Sequence, residues 1–188
     1  MYSVPIKQVY KSITENGESQ EEAAEKLYQS LEAMDEMIHL FYQHKGLNAV
    51  PVAEGKTYGK DKLPSTRLNI RYQRMFAGAF MYAGGLHIGI EWDSCALLGG
   101  SQPIQSDNGK YESGKYFGWG IAHEIGHIIN ESVYAVAEVT NNYYSILAQA
   151  EDTSDSVRFK YEDAYRKVTS GTKGGCLLYT SDAADDKA

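Results

Sequence analysis

The sequence contains little cysteine, and its two residues of this type, Cys95 and Cys176, are too few for a disulfide framework. No apolar run reaches the length that a membrane span requires, and the first residues lack the pattern of a signal peptide. Basic residues are also scarce, since 18 Lys and Arg stand against 25 Asp and Glu for a formal net charge of −7. There is no basic stripe either. We therefore expect no nucleic-acid partner and no insertion into a membrane.

The hydrophobic content of 43% over 188 residues is sufficient for one domain with its own core. The end of the chain differs from the rest, because residues 176–188 read like a translated sequencing adapter. We expect a partial native domain over residues 1–175 and a non-native tail over residues 176–188. A genuine disordered acidic tail is the alternative.

Two kinds of hydrophobic periodicity predict an α+β domain. Ser19 and Glu22 form a capping box, and one apolar stripe then predicts a helix to about His44. The members of this stripe are Leu27, Leu31, Met34, Ile38 and Phe41. Alternating patterns predict strands over residues 67–74 and 86–92, and helical patterns cover residues 134–150 and 155–169. We expect a small antiparallel sheet packed on the helices.

The stretch from Gly118 to Ile129 contains the pattern His-Glu-x-x-His. On a helix, residues four apart lie on one face, so His123 and His127 can direct their imidazole nitrogens at one metal ion. Glu124 lies about 100° round the helix, close enough to take a proton from a water on that metal. In zinc hydrolases the metal lowers the pKa of the water and a carboxylate accepts its proton. The pattern thus predicts a zinc site with Glu124 as its base.

The helix that carries this pattern is expected to lie in the core. Glu124 is the one charged residue between Gly118 and Asn130, whereas a surface helix carries more charge. Two histidines and a glutamate inside a protein need partners, because burying them unpaired costs free energy. A metal ion supplies such a partner, and a pair of core histidines with a salt-bridged glutamate is the alternative. We expect this helix to begin near residues 116–118.

A catalytic zinc ion usually has a third protein ligand. Asn130 and Val133 stand where the metzincin pattern requires Gly and His, so a glutamate from the following segment remains. On a straight helix Glu131 lies about 12 Å along the axis from His123, too far for a shared metal ion. The chain can turn back beyond this point. Glu138 is therefore favoured over Glu131 as the third ligand of one zinc ion.

Residues around these ligands suggest supporting roles. Asn142, four residues after Glu138 on the predicted helix, can hold a ligand histidine by its second ring nitrogen, with a surface asparagine as the alternative. The candidate hydrogen-bond donors to a reaction oxyanion are Tyr134, Tyr143 and Tyr144. The segment 82–92 is a candidate strand for an extended substrate, with a tight hairpin corner as the alternative. Its defining residues are Gly84, Gly85, His87 and Gly89, of which His87 is expected to be exposed rather than a metal ligand.

These residues resemble the enhancin-like, mucin-degrading zinc metallopeptidases. The pattern of that family, His-Glu-x-x-His followed by Glu, maps to His123, Glu124, His127 and Glu138, and the segments 81–84 and 138–145 are also similar. The resemblance covers roughly residues 65–150. It implies a zincin-like catalytic domain of the gluzincin type, in secreted or cell-surface proteins that act on O-glycosylated substrates such as mucins.

We therefore expect a zinc-dependent endopeptidase that acts on proteins or glycoproteins. Two alternatives remain at this point. The chain is an inactive or truncated fragment that binds glycoproteins without cleaving them, or it is a zinc hydrolase of a bond other than the peptide bond.

Overall fold

The computed structural model describes residues 1–46, 67–76, 78–104, 116–130, 133, 135–136, 138–152, 162 and 166. The elements in chain order are β1 (Tyr2–Ser3), α1 (Ile6–Ile13), α2 (Gln20–His44), β2 (Asn69–Tyr72), β3 (Met81–Gly84), β4 (His87–Ile90), a 3₁₀ segment (Asp93–Gly99), α3 (Trp119–Ile129) and α4 (Asn142–Glu151). The α+β class is confirmed. The predicted helix over 155–169 and the predicted tail lie almost wholly outside the described residues. Among the described helices, none combines the length and the apolar character needed to cross a bilayer.

Helix α2 begins at the predicted capping box. The Ser19 hydroxyl accepts from the backbone N–H of Glu22 at 3.2 Å, and the Glu22 carboxylate accepts from the N–H of Ser19 at 2.8 Å. The buried face is rotated relative to the predicted stripe, since Leu31 is 42% exposed. Its buried apolar residues are Ala23, Ala33, Met34, Met37, Leu40 and Phe41. Ala33 and Met37, which the predicted stripe omits, are fully buried, whereas Leu27 and Ile38 of the stripe are only partly buried.

The four described strands form one sheet in the order β1-β2-β4-β3. The β1–β2 and β2–β4 pairs are parallel, and the β3–β4 pair is antiparallel. The expectation of an antiparallel sheet is therefore wrong, because the sheet is mixed. Strand β4 turns back from β3 at Gly85 as in a hairpin and lies between β3 and β2, and it runs in the same direction as β2. Gly85 has a φ of 59°, a left-handed conformation that glycine adopts readily in such turns.

Helix α3 packs against the inner face of the sheet and against α4, as expected for a helix in the core. Ile70, Ile88 and Ile90 of the sheet belong to one hydrophobic cluster with Ile121 and Ile125 of α3. Each such burial contributes about 1.5–3 kcal/mol relative to an exposed side chain. Packing in the core thus fixes the position of α3 between the sheet and α4. The His-Glu-x-x-His residues lie on this helix, so their backbone positions are fixed as well.

Two glycines of α3 meet these neighbours through different kinds of atoms. A Cβ atom at Gly126 would lie 2.7 Å from the backbone oxygen of Asn141 and 2.9 Å from its Cα. A Cβ atom at Gly120 would lie 3.0 Å from the Sδ atom of Met81, which is the end of a flexible side chain. A side chain at position 120 can be accommodated by a small rotation of Met81. At position 126 the neighbour is main chain, so the segment around Asn141 would have to move.

We predict that Gly126→Ala destabilises the fold by about 1–3 kcal/mol, because the added methyl overpacks the α3–Asn141 contact. Gly120→Ala is the matched control in the same helix. There the higher helix propensity of alanine should leave the free energy of unfolding unchanged or raise it by up to about 1 kcal/mol. Urea denaturation of both variants measures the difference. Equal effects at the two positions would contradict the close approach of Asn141 to α3.

The thiol of Cys95 is buried and donates to the backbone oxygen of Glu91 at 3.3 Å. Desolvation, with a smaller contribution from the Glu91 carboxylate, raises the pKa of Cys95 to about 11. The reactive thiolate is therefore scarce below that pH.

We predict that Cys95 in a Cys176→Ser variant resists a disulfide reagent at pH 8 and reacts at once in denaturant. Rapid labelling of the native protein would show that the 3₁₀ segment opens.

Candidate metal centre

The His-Glu-x-x-His helix begins slightly later than expected, at Trp119, one residue after Gly118. Gly118 has a φ of 78°, so the chain enters the helix through a conformation that favours glycine. His123 and Glu124 are both buried, and His127 is partly exposed. The helix therefore presents its histidines at the boundary of the core, where one side of the pair faces solvent.

The structure brings His123, His127 and Glu138 together. The Nε2 atom of His123 lies 2.9 Å from Oε2 of Glu138, and Nε2 of His127 lies 3.0 Å from Oε1 of the same carboxylate. The two imidazole rings are 4.8 Å apart between centroids and nearly perpendicular, at 85°. Among the described residues, one ligand atom from each of the three lies within 4.8 Å of the others. The alternative ligand Glu131 lies outside the described residues.

The pattern over residues 134–150 predicted that Glu138 and Asn142 lie on one helix, and this prediction is wrong. Helix α4 begins at Asn142, and Glu138 lies in the turn that precedes it, with a φ of 58°. It is the one non-glycine residue with a positive φ in the described part of the chain. The turn is closed by hydrogen bonds from the backbone N–H groups of Val139 and Thr140 to the oxygen of Val136, at 3.0 and 3.1 Å. A tight turn, rather than a helical repeat, directs the carboxylate at the histidines.

Asn142 connects the two sides of the cluster. Its Nδ2 donates to the backbone oxygen of Glu138 at 2.5 Å, and its Oδ1 lies 2.5 Å from Nδ1 of His123. Because a backbone oxygen only accepts, the amide nitrogen must face Glu138 and the amide oxygen must face His123. The Nδ1 of His123 therefore donates to Asn142, so in the neutral ring Nε2 is the nitrogen that can bind a metal ion. Asn142 lies where the sequence had suggested a support for a ligand histidine.

The chemistry of this donor set fits a metal ion. The Nε2 atoms of His123 and His127 face the two oxygens of the Glu138 carboxylate at 2.9 and 3.0 Å, so potential ligand atoms from three residues converge on one place. Two imidazole nitrogens and a carboxylate are the ligand types that zinc takes, at about 2.0–2.2 Å each. The contact between Asn142 and the outer nitrogen of His123 is the support that ligand histidines usually have. His123, His127 and Glu138 can therefore hold such an ion.

Two residues at this cluster were not anticipated. Asn141 is buried, and its Nδ2 lies 2.9 Å from Nε2 of both His123 and His127. Gly126 supplies the bare helix surface on which the backbone of Asn141 rests. The sequence signals were a glycine inside an apolar helix and a pair of consecutive asparagines after Glu138. A glycine in a helix often marks close packing, but periodicity does not reveal which segment packs there.

The candidate oxyanion donors have other neighbours. The hydroxyl of Tyr143 lies 3.1 Å from Nδ1 of His44 at the end of α2. Tyr144 is buried, with its ring edge-on to Phe41 at 5.1 Å between centroids. Tyr134 lies outside the described residues. These contacts do not support an oxyanion role for Tyr143 or Tyr144.

The candidate substrate segment divides into an edge strand and an inner strand. Strand β3, which contains Gly84, pairs with β4 and with no other described strand, whereas β4 pairs on both sides. The main chain of His87 and Gly89 is therefore occupied within the sheet. His87 is partly buried on the outer face, with Nε2 2.8 Å from Arg71 and 3.1 Å from the hydroxyl of Tyr82. Within the described part of the chain, the edge open to an extended substrate is thus on β3 rather than on β4.

Comparisons with known proteins agree with this fold. The family described as Peptidase M60, enhancin and enhancin-like matches residues 18–177. Two structures of a functionally unknown conserved protein from Bacillus anthracis str. Ames, one of them a mutant, have TM-scores of 0.53 and 0.52 at 17% and 18% identity. The matches cover 79% and 81% of this chain but 30% and 29% of those chains, and they establish likeness of fold.

A further solved structure is the M60 catalytic domain of ZmpC from Clostridium perfringens, in complex with the sialyl T antigen. It is 24% identical, with a TM-score of 0.48, and the match covers 65% of this chain and 20% of that one. No curated protein is significantly similar to the chain. The family match spans most of the sequence and includes both the His-Glu-x-x-His helix and Glu138. The chain therefore belongs to the peptidase M60 family of enhancin and enhancin-like proteins.

Proposed function

We propose that the chain is part of the catalytic domain of a zinc-dependent endopeptidase that cleaves glycoproteins, such as mucins. The observation that carries the proposal is the meeting of Nε2 of His123, Nε2 of His127 and the carboxylate of Glu138, at 2.9 and 3.0 Å. Family membership supports the peptidase part. The glycoprotein part also rests on family membership. The secreted or cell-surface location expected from the resemblance belongs to the same proposal.

The proposed reaction assigns a separate task to each group. A bound zinc ion would supply Lewis-acid polarisation of the scissile carbonyl and a lower pKa for the attacking water. The Glu124 carboxylate accepts the proton of that water and transfers it to the nitrogen of the leaving amine. Asn142 holds the His123 ring by Nδ1, which keeps Nε2 directed at the cluster. His123, His127 and Glu138 lie close together, and Glu124 is the next residue after His123 on α3, which supports this assignment of roles.

Strand β3 is the proposed site of substrate binding. It is an edge of the sheet in the described part of the chain, and it packs on α3 through Met81, which lies next to Gly120. An extended peptide can add to such an edge by main-chain hydrogen bonds, whatever its side chains. In this arrangement the substrate backbone runs beside the helix that carries the histidines.

We predict that Glu124→Gln keeps zinc but lowers the turnover of casein and mucin by at least about 10²-fold, because the base is lost. The control is Glu25→Gln on the exposed face of α2, which should leave turnover unchanged. Zinc content by atomic absorption accompanies both assays. Full activity of Glu124→Gln would remove this residue from the reaction.

The same assays separate the alternatives. Stoichiometric zinc with no cleavage of either protein by the parent chain would favour a glycoprotein-binding fragment. Zinc with hydrolysis of esters or non-peptide amides alone would favour a hydrolase of another bond.

We predict that Asn142→Ala weakens zinc binding by about 10–100-fold, since His123 loses the partner of its Nδ1 atom. Competition with a chromogenic chelator measures the affinity, and far-UV circular dichroism verifies that the variant is folded. A folded variant with unchanged affinity would show that the His123 ring is held by other contacts.

A further inference from the structure

One side of α4 is polar although it packs against α3. Asn142 and Ser145 are fully buried, and Asp152 follows the helix directly as its C-cap. Their spacing along the chain places all three on the same side of the helix axis. Buried polar groups are stable only when they are hydrogen-bonded, and each of the three has a partner on α3 or just before it.

Ser145 and Asp152 extend the contact of Asn142 toward the beginning of α3. The hydroxyl of Ser145 donates to the carbonyl oxygen of Trp119 at 3.0 Å. The carboxylate of Asp152 accepts from the backbone N–H of Tyr116 at 2.8 Å. As α4 proceeds, its partners move toward lower residue numbers, which is the pattern of two antiparallel neighbours. Both contacts are made to main-chain atoms rather than to ligand atoms of the metal centre.

The carbonyl group of Trp119 connects Ser145 with the backbone of a metal ligand. In an α-helix each N–H donates to the carbonyl four residues earlier, so the first turn of α3 joins the N–H of His123 to the Trp119 oxygen. A carbonyl oxygen has two lone pairs and can accept from the hydroxyl and from this N–H together. His123 is thus linked to α4 twice, through its ring by Asn142 and through its backbone by Ser145.

Packing and hydrogen bonds constrain α3 in different ways. The backbone of Asn141 at Gly126 sets how closely the neighbouring segment approaches, and the burial of Ile121 and Ile125 holds the helix in the core. Apolar burial is non-directional, so it constrains sliding along the helix axis less sharply than it constrains separation. A hydrogen bond is restricted to about 2.7–3.2 Å, whereas a slide of one residue moves a helix by about 1.5 Å. The bonds from α4 therefore oppose such a slide.

We propose that Ser145, assisted by Asp152, is a positioning residue for the metal centre, because its bond to the start of α3 fixes the axial position of that helix. The inference rests on the proposed metal centre. His123 and His127 lie on α3, whereas Glu138 lies in the turn that leads into α4. The register between the two helices therefore decides whether the three ligands converge. Zinc–ligand distances stay within about 0.2 Å of their standard values, so even a small slide of α3 weakens binding.

The test compares two buried serines. Ser30 of α2 is 0% exposed, as Ser145 is, and its hydroxyl donates to the backbone oxygen of Leu98 in the 3₁₀ segment. Ser30→Ala and Ser145→Ala each remove one hydroxyl bond to a carbonyl, so both should lower the thermal stability of the chain. Ser145→Ala alone should also bind Zn²⁺ about tenfold more weakly than the parent chain, while Ser30→Ala stays within about twofold. Competition with a chromogenic chelator on the full chain measures the affinity.

Two further measurements separate positioning from general stability. Asp152→Ala removes the acceptor for the Tyr116 N–H and should also weaken Zn²⁺ binding, whereas Asp152→Asn retains an acceptor oxygen and should bind nearly as the parent chain does. With Co²⁺ in place of zinc, Ser145→Ala should alter the visible absorption bands, because the ligand geometry changes, and Ser30→Ala should keep the parent spectrum. Asp152→Ala replaces Ser145→Ala if that variant does not fold.

A folded Ser145→Ala variant that binds Zn²⁺ as tightly as the parent chain overturns the proposal. A loss of affinity that Ser30→Ala shares also overturns it, since the effect would then follow from stability alone. Failure of the peptidase proposal is a separate result, namely zinc binding by the parent chain without cleavage of casein or mucin. If the parent chain binds no zinc, both the metal centre and the positioning role of Ser145 are wrong.

Discussion

The backbone of Asn141 lies against α3 at the position where Gly126 offers no side chain. This contact brings the segment between Glu138 and Asn142 to the histidine pair. Gly126 lies three residues after His123 and one before His127, so the contact falls between the two imidazoles along the helix. A helix interior normally disfavours glycine by about 0.5–1 kcal/mol relative to alanine. At Gly126 this unfavourable free energy is offset by the close packing of the Asn141 backbone against α3.

The turn that carries Glu138 is a second place where local conformation is unfavourable. A left-handed conformation at a non-glycine residue costs roughly 1–2 kcal/mol. The surrounding contacts hold it, since the amide of Asn142 donates to the Glu138 carbonyl and the hydroxyl of Thr140 lies 3.2 Å from the oxygen of Val136. Strained residues of this kind often occur where a side chain must be directed at a reacting or ligand-binding group. Here the strained residue is the one whose carboxylate faces both histidines.

Much of the site was accessible from the sequence because its chemistry is local. His123 and His127 are four residues apart on one helix, and the lack of charge around them indicated burial. Glu138 followed from ligand type and from the reach of the chain, although its location on a helix was wrong. The direction of the strands was not accessible in this way. Alternation fixes which face a residue occupies, but the insertion of β4 between β2 and β3 depends on which neighbours pack together.

Asn141 escaped sequence reasoning for a related reason. Nothing in its position distinguishes it from Asn142, and the difference between them arises only when α3 and the turn are seen in contact. One asparagine meets the outer nitrogen of an imidazole and the other meets the inner nitrogens. Two adjacent side chains therefore contact the histidine pair from different sides.

A crystal structure of the chain grown with zinc, with anomalous data collected at the zinc edge, bears most directly on the three-ligand centre. The expected result is one anomalous peak at about 2.0–2.2 Å from Nε2 of His123, Nε2 of His127 and a carboxylate oxygen of Glu138. A peak bound by other residues, or a histidine-bound zinc ion with the Glu138 carboxylate turned away, would contradict it.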